Sequence, residues 1–540
     1  MGSFFYVYYM IKKICCFIVW CTSQASAQPK VPWQYADYNT DGIYGISLSQ
    51  AYTLLKSKKS TTVIVAVIDS GIDTLQPDIA PILWKNPKEK PYNNTDDDGN
   101  GLVDDIIGWN YLGAPNMQNL AISVPEYYRT YYRFKNTYNP KKINKLTKPQ
   151  LYQYQELKRA EAILNANYTE ALQRIDELLP YVTYLKLADS SNKKQLGIST
   201  YSKTELQQLK LQSGLSKIYV AAWTNIFTNY EGNNTGYLSE IDTYLNAQQK
   251  LIDQKNNAPL PYRDSLLLND GYNITTTHYG NNNMQTHSGF HGTSVSGIIG
   301  AIRNNGIGVD GVANDVRIMM IRAILGNDEY DKDVALAIRY AVDNGAKVIN
   351  MSFGKSVSPD KAWVDDAIQY ALRKDVVVIH AAGNDGTNND IQYNYPNAYT
   401  IAGKRLPNFI NVAASANNTK GNIIASFTNY GSKMVDVLAP GVDIECAIAG
   451  IATRLASGTS MASPMVAGIA ALVRSYYPKL TAVQVVEVIL KSCTPITGNV
   501  AQPNTNKTVA ASTICNTGGV VNAAKAITLA NALYTKKNWR

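Results

Sequence analysis

Residues 61–68 read TTVIVAVI, a β-branched run without the polar–apolar alternation of a half-exposed strand. Such a run must be buried on both faces, which is the situation of a strand inside a parallel sheet covered by helices. Comparable runs recur at residues 316–324, 347–352, 376–381 and 409–414. Helical patterns lie between them. Residues 331–344 place Val334, Ala337, Ile338, Ala341 and Val342 on one stripe, and Gly345 follows as a stop signal. Residues 359–374 repeat the pattern with Trp363, Ala367, Ile368, Ala371 and Leu372. This alternation predicts an α/β fold, a doubly wound and mostly parallel sheet with helices on both faces.

The 540 residues are 45% hydrophobic and 17% charged, enough apolar matter for a large core and too little charge for global disorder. The net charge of +9 is spread thinly with no long basic run, so nucleic acid is not an expected partner. One stretch departs from the rest: residues 112–270 hold 16 of the 37 tyrosines. Residues 154–187 carry helical periodicity and residues 238–254 repeat it more weakly. A mainly helical insertion is expected at 112–270, between residues 28–111 and residues 271–540. It would serve as a surface decoration or as a lid.

At the N-terminus, Lys12 and Lys13 precede an apolar run over residues 14–20, and Ala25-Ser26-Ala27 has the small-x-small form of a cleavage site. Residues 1–27 therefore read as an export signal, with Met10 as an alternative start. The run is shorter than the roughly 20 residues that span a bilayer. Bulky Trp20 suits lipid attachment at Cys21 poorly. The expectation is a secreted or periplasmic monomer without a membrane span. Of six cysteines, Cys15, Cys16 and Cys21 would leave with the signal. Cys493 is expected to pair with Cys515, leaving Cys446 free and buried.

Three segments carry chemistry. Val67-Ile-Asp69-Ser-Gly-Ile-Asp73 puts Asp69 at the end of a buried strand. His291-Gly-Thr-Ser-Val-Ser-Gly297 opens a helix with a histidine. Gly458-Thr-Ser460-Met-Ala-Ser463-Pro464 opens an apolar helix with a serine. A serine hydroxyl needs a base to take its proton, and histidine can do so near neutral pH. A carboxylate ending an apolar strand needs a partner, and His291 can be that partner. Free N–H groups at a helix start favour a developing oxyanion at Ser460. Pro464 fits the first turn, and Ser463 reads as structural. His278 and His287 lie in a polar loop as bystanders, and His380 lies in a strand as a packed residue.

Taken in order, Asp, then His, then Ser, these motifs resemble the subtilisin-like serine proteases (subtilases), over residues 33–111 and 272–493. The resemblance implies a serine endopeptidase acting on protein or peptide substrates through an acyl-enzyme, with Asp69, His291 and Ser460 as the triad. Ala381-Ala-Gly-Asn384-Asp385 resembles the oxyanion-hole loop, with Asn384 as donor. Ser352-Phe353-Gly354 resembles the substrate-binding strand, and with Ala381, Ala382 and Gly383 would wall the pocket for the side chain before the cleaved bond. The 222 residues between Asp69 and His291 exceed the family's usual spacing, which the helical insertion explains, and no long N-terminal chaperone segment is visible. A catalytically dead binding module, a lipase or esterase, and a calcium-dependent adhesion or structural protein, which would not need the Asp/His/Ser/Asn set, are the rival readings. Gly458-Thr-Ser460-Met-Ala lacks the second glycine of a Gly-x-Ser-x-Gly elbow.

Residues 96–105 (DDDGNGLVDD) are acidic and Gly-rich. Asp96, Asp98 and Asn100 at alternate positions, followed by Gly101, match the start of an EF-hand loop, but Ile107 stands where its Glu would be. The pattern points to a structural calcium site built from Asp96, Asp98 and Asn100 with Asp104 or Asp105, and not to an EF-hand.

Overall fold

The structure is a computed structural model that describes residues 32–209, 214–267, 272–285, 290–326 and 328–535. Residues 1–27, where an export signal is expected, with Cys15, Cys16 and Cys21, and His287 lie outside the described residues.

A nine-stranded sheet carries the architecture. Its strands in chain order are β1 (Val63–Asp69), β2 (Gly108–Asn110), β3 (Val316–Arg322), β4 (Val348–Met351), β5 (Val377–Ala381), β6 (Phe409–Ser415), β7 (Val437–Pro440), β8 (Thr494–Pro495) and β9 (Gly519–Val520). Across the sheet they run β8-β9-β7-β6-β5-β4-β1-β3-β2, all parallel except β8 against β9. The five strands expected from apolar runs are all present. The short strands β2 and β7 to β9 had no pattern long enough to mark them.

Helices cover both faces. With α1 (Glu126–Phe134), α2 (Lys148–Leu196), α3 (Gly214–Ile226) and α4 (Asn234–Asn256) earlier in the chain, the covering helices are α5 (Phe290–Gly300), α6 (Asp331–Asp343), α7 (Lys361–Arg373) and α8 (Thr459–Tyr476). Val63, Val65 and Val67 of β1 pack with Val295 and Ile299 of α5 and Met465 and Val466 of α8. Ala66 and Ile68 point the other way, into a cluster with Ile338 and Ala341 of α6 and Ala367 and Ile368 of α7. Alternate residues of one uninterrupted apolar strand thus feed two cores, which is why β1 shows no polar face. This is the doubly wound α/β fold.

The described chain forms two compact units. One holds Lys158–Pro259, where Tyr201, Trp223, Phe227 and Tyr237 close an aromatic core, with the Tyr201 and Trp223 rings 5.7 Å apart and edge-on. It is narrower than residues 112–270. Residues 126–156 belong to the sheet-bearing unit, because their charges are used there: Lys355 Nζ lies 2.8 Å from Glu126, and the Ser358 N–H donates to Glu156 at 2.8 Å. The expected Cys493–Cys515 bridge is absent; Cys446, Cys493 and Cys515 are free thiols, and Cys446 is buried as expected. Burial disfavours the thiolates, pushing both Cys446 and Cys493 up to about 12. No helix among the described residues is long and apolar enough to cross a membrane.

Candidate active site

The C-terminal edge of the sheet brings the four motifs together. Asp69 is the last residue of β1 and is buried. Its Oδ1 accepts from the Ser70 N–H at 2.7 Å. His291 is the second residue of α5, and its Nδ1 lies 2.8 and 3.0 Å from the two Asp69 oxygens. Gly292 permits this approach: a Cβ there would stand 2.1 Å from the Gly71 carbonyl oxygen and 3.2 Å from Asp69 Oδ1. Burial favours the neutral ring, but the charge and hydrogen bond of Asp69 outweigh it and raise the His291 pKa above the ordinary histidine value of 6.5. With Nδ1 committed to the carboxylate, Nε2 is the nitrogen left to accept a proton.

Ser460 is the second residue of α8. Its Oγ donates to the Ser352 carbonyl oxygen at 3.0 Å, so transfer to the imidazole needs a turn about χ1. Pro464 is the sixth residue of α8 and so stands in its second turn, not its first. The helix tolerates it because Ser352 Oγ donates to the Ser460 carbonyl at 3.0 Å, the acceptor that the residue-464 N–H would have used. Behind it, Asn350 Nδ2 donates to Ser352 Oγ at 3.0 Å and Ser463 Oγ to Asn350 Oδ1 at 2.7 Å.

Asn384 follows β5. Its Oδ1 accepts from the Thr459 N–H (2.8 Å) and Thr459 Oγ1 (2.9 Å), which fixes the amide and turns Nδ2 outward. A Cβ on Gly458 would lie 3.5 Å from Asn384 Nδ2 and 3.7 Å from the Ser460 nitrogen, so both nitrogens lie close to Gly458. Preorganised donors of this kind are what an oxyanion requires. Asn429 Oδ1 holds the loop through the Asp385 and Thr387 N–H groups, at 2.9 and 3.1 Å. Gly383 (φ +105°) passes close beside it, where a Cβ would come within 2.4 Å of Asn429 Nδ2.

Phe353, Gly354 and Gly383 are partly exposed along the cleft. Ser352, Ala381 and Ala382 are buried, and Asn394 Nδ2 donates to the carbonyls of the two alanines at 3.3 and 3.0 Å. Asn394 also stands behind Gly354, where a Cβ would meet its Oδ1 at 2.5 Å. It sits in a polar run, residues 388–397, that offered no signal of such a place. His380 lies edge-on to Phe353 at 6.3 Å, and burial lowers its pKa to about 4, so it is a neutral packed residue.

The acidic loop divides. Asp96 and Asp98 gather with Glu89, their carboxylate atoms within 4.8 Å of one another. Glu89 was not among the expected ligands. Its Oε1 accepts from the Asp97 and Asp98 N–H groups, while Oε2 is buried without a partner. Burial raises the Glu89 pKa. Asn100 Oδ1 is used by the Leu102 N–H (2.8 Å). Asp104 turns elsewhere, while Asp105 stays tied to the loop, accepting from Asn100 Nδ2 at 3.1 Å and sharing Asn86 Nδ2 with Asp98. Asp104 accepts from the Asn93 and Asn94 N–H groups (3.3 and 2.9 Å). Asp105 is buried against Tyr340 OH (2.7 Å) and Asn86 Nδ2 (2.8 Å), and burial raises its pKa to about 6.

The profile of the Subtilase family (peptidase S8) matches residues 60–514. The chain belongs to the subtilase family. Among its curated relatives, a thermophilic serine proteinase of Bacillus sp. (strain AK1) is 36% identical over 48% of this chain and 61% of its own length. Thermitase of Thermoactinomyces vulgaris is 38% identical over 34% of this chain and 61% of its own. Subtilisin BL of Lederbergia lenta is 36% identical over 36% of this chain and 66% of its own. The chain thus spans just under two thirds of these relatives.

Proposed function

We propose that this subtilase is a serine endopeptidase that hydrolyses peptide bonds through an acyl-enzyme. Ser460 Oγ attacks the carbonyl carbon as His291 Nε2 takes its proton. Asp69 holds Nδ1 and stabilises the imidazolium. Asn384 Nδ2 and the Ser460 N–H receive the oxyanion, and His291 then protonates the leaving amine. Water repeats the cycle to release the acid. The substrate backbone lies along Ser352-Phe353-Gly354. The observation that carries this reading is the His291 Nδ1 to Asp69 contact at 2.8 Å, with His291 and Ser460 each the second residue of a helix.

The test is incubation of the mature protein and its Ser460→Ala variant with a fluorophosphonate probe and casein. Labelling and cleavage by the native protein alone support the reading, and a folded native protein inert to both overturns it. The export segment 1–27 supports a secreted or periplasmic protease. Residues 158–259 would be an insertion between the Asp and His motifs. Glu89, Asp96 and Asp98 would hold a calcium ion: three carboxylates suit a hard cation, and the orphaned Glu89 Oε2 is a ligand atom without another use. The ion would stabilise the loop and take no part in the chemistry.

A further inference from the structure

Beside His291 lies a hairpin that the catalytic steps leave unused. Ile444–Ala447 pairs antiparallel with Thr453–Ala456, placing Cys446 opposite Arg454. The hairpin is anchored to the catalytic elements on both sides of the Asp–His pair. Ser294 Oγ, three residues after His291, donates to the Ala447 carbonyl at 2.8 Å. The Gly450 N–H at its tip donates to Asp73 Oδ2 at 3.1 Å, four residues after Asp69. Its position relative to the imidazole is therefore fixed by the same strand and helix that fix the imidazole.

Arg454 is exposed, and its guanidinium lies over the ring of Phe290, 5.0 Å from the centroid. Phe290 is the residue before His291. Among the described residues no carboxylate lies within ion-pair distance of Arg454. The nearest acids by position are engaged: Glu445 accepts from Thr453 Oγ1 at 2.8 Å, and Asp73 holds Gly450. A guanidinium over an aromatic face keeps its in-plane N–H edges free, and those edges match a carboxylate. Phe290 thus holds an unpaired cation in a defined place.

That place is on the leaving-group side. His291 delivers its proton to the leaving nitrogen, so the chain beyond the cleaved bond starts at the imidazole. The acyl part runs along Ser352-Phe353-Gly354, which follow β4. His291 stands over β1, the next strand, on α5. Phe290 and the hairpin adjoin that imidazole, Phe290 as its chain neighbour and the hairpin through the Ser294–Ala447 hydrogen bond.

We propose that Arg454, seated on Phe290, selects substrates with Asp or Glu within the first two residues after the cleaved bond. This rests on the peptidase reading above. The pair would be solvent-exposed, where charge contacts are worth a few-fold in rate and weaken with salt.

The test is digestion of a defined peptide library at low and at high salt, with cleavage positions read by mass spectrometry and rates normalised to fluorophosphonate-titrated sites. The native protein should enrich Asp and Glu at those two positions about threefold to fivefold at low salt, less at high salt. R454A should abolish the enrichment, and R454E should shift it to Lys and Arg. No enrichment in the native protein, or enrichment unchanged in R454A, overturns the inference while leaving the peptidase reading intact. Failure of the native protein to cleave or to label overturns both.

Discussion

Ser352 and Ser460 exchange hydrogen bonds: Ser460 Oγ donates to the Ser352 carbonyl and Ser352 Oγ donates to the Ser460 carbonyl, each at 3.0 Å. The second bond replaces the one that Pro464 cannot make. Ser352→Ala should leave the Ser460 carbonyl and Asn350 Nδ2 unsatisfied in a buried network, costing about 1–3 kcal/mol. Pro464→Ala restores an N–H to the same carbonyl and should soften the loss. Urea unfolding of the fluorophosphonate-blocked proteins, run as a double-mutant cycle, measures this coupling; strictly additive losses would refute it.

Asn384 separates two duties. Its Oδ1 ties the loop to Thr459, and its Nδ2 is the donor proposed for the oxyanion. Asn384→Asp keeps the accepting oxygen but loses the donor and adds a charge where negative charge develops. Removal of a comparable donor in subtilisin costs roughly 10²–10³ in kcat, and the same range is expected here with KM little changed. A wild-type kcat in Asn384→Asp would remove the residue from the oxyanion site.

The raised pKa of His291 sets the acid limb of the pH profile. The ring must be neutral to take the serine proton, and Asp69 favours its charged form. kcat/KM should therefore fall as pH drops through an inflection above 6.5. Asp69→Asn removes the charge, so the inflection should move to lower pH while kcat falls by about 10⁴. An acid limb that stays in place in Asp69→Asn would mean that Asp69 does not govern the imidazole.

The fold and the Asp69–His291 pairing were legible because both are written locally. A strand buried on both faces has to be apolar throughout, and residues 63–68 of β1 are. The residues of each catalytic motif lie within a few positions of a strand end or helix start. What sequence could not show depends on distant pairing. Asp104 and Asp105 look like Asp96 and Asp98 in the run, yet Tyr340, 235 residues on, takes Asp105. Glu89 lies seven residues before Asp96, outside the acidic run, and only the loop's return places it beside Asp98. The two-residue strands β8 and β9 are too short for any period to register.

Glu89 also makes the calcium reading testable without activity. Its Oε2 is buried with no hydrogen bond, and desolvation raises its pKa. A bound cation would satisfy that oxygen and favour its charged form. Calcium at a hundred times its dissociation constant should stabilise the protein by about 2.7 kcal/mol. Proton and ion compete for the same oxygen, so the gain should fade with falling pH, starting above the ordinary glutamate value of 4.5. Glu89→Gln should lose the gain. In chelator, however, the variant should equal or exceed the native protein, because it no longer buries an uncompensated charge. Melting curves of both proteins in calcium and in chelator give four numbers, and the order should cross. A Glu89→Gln variant that melts below the native protein in chelator, or gains as much from calcium, would show that Glu89 holds the loop by its backbone contacts and not through an ion.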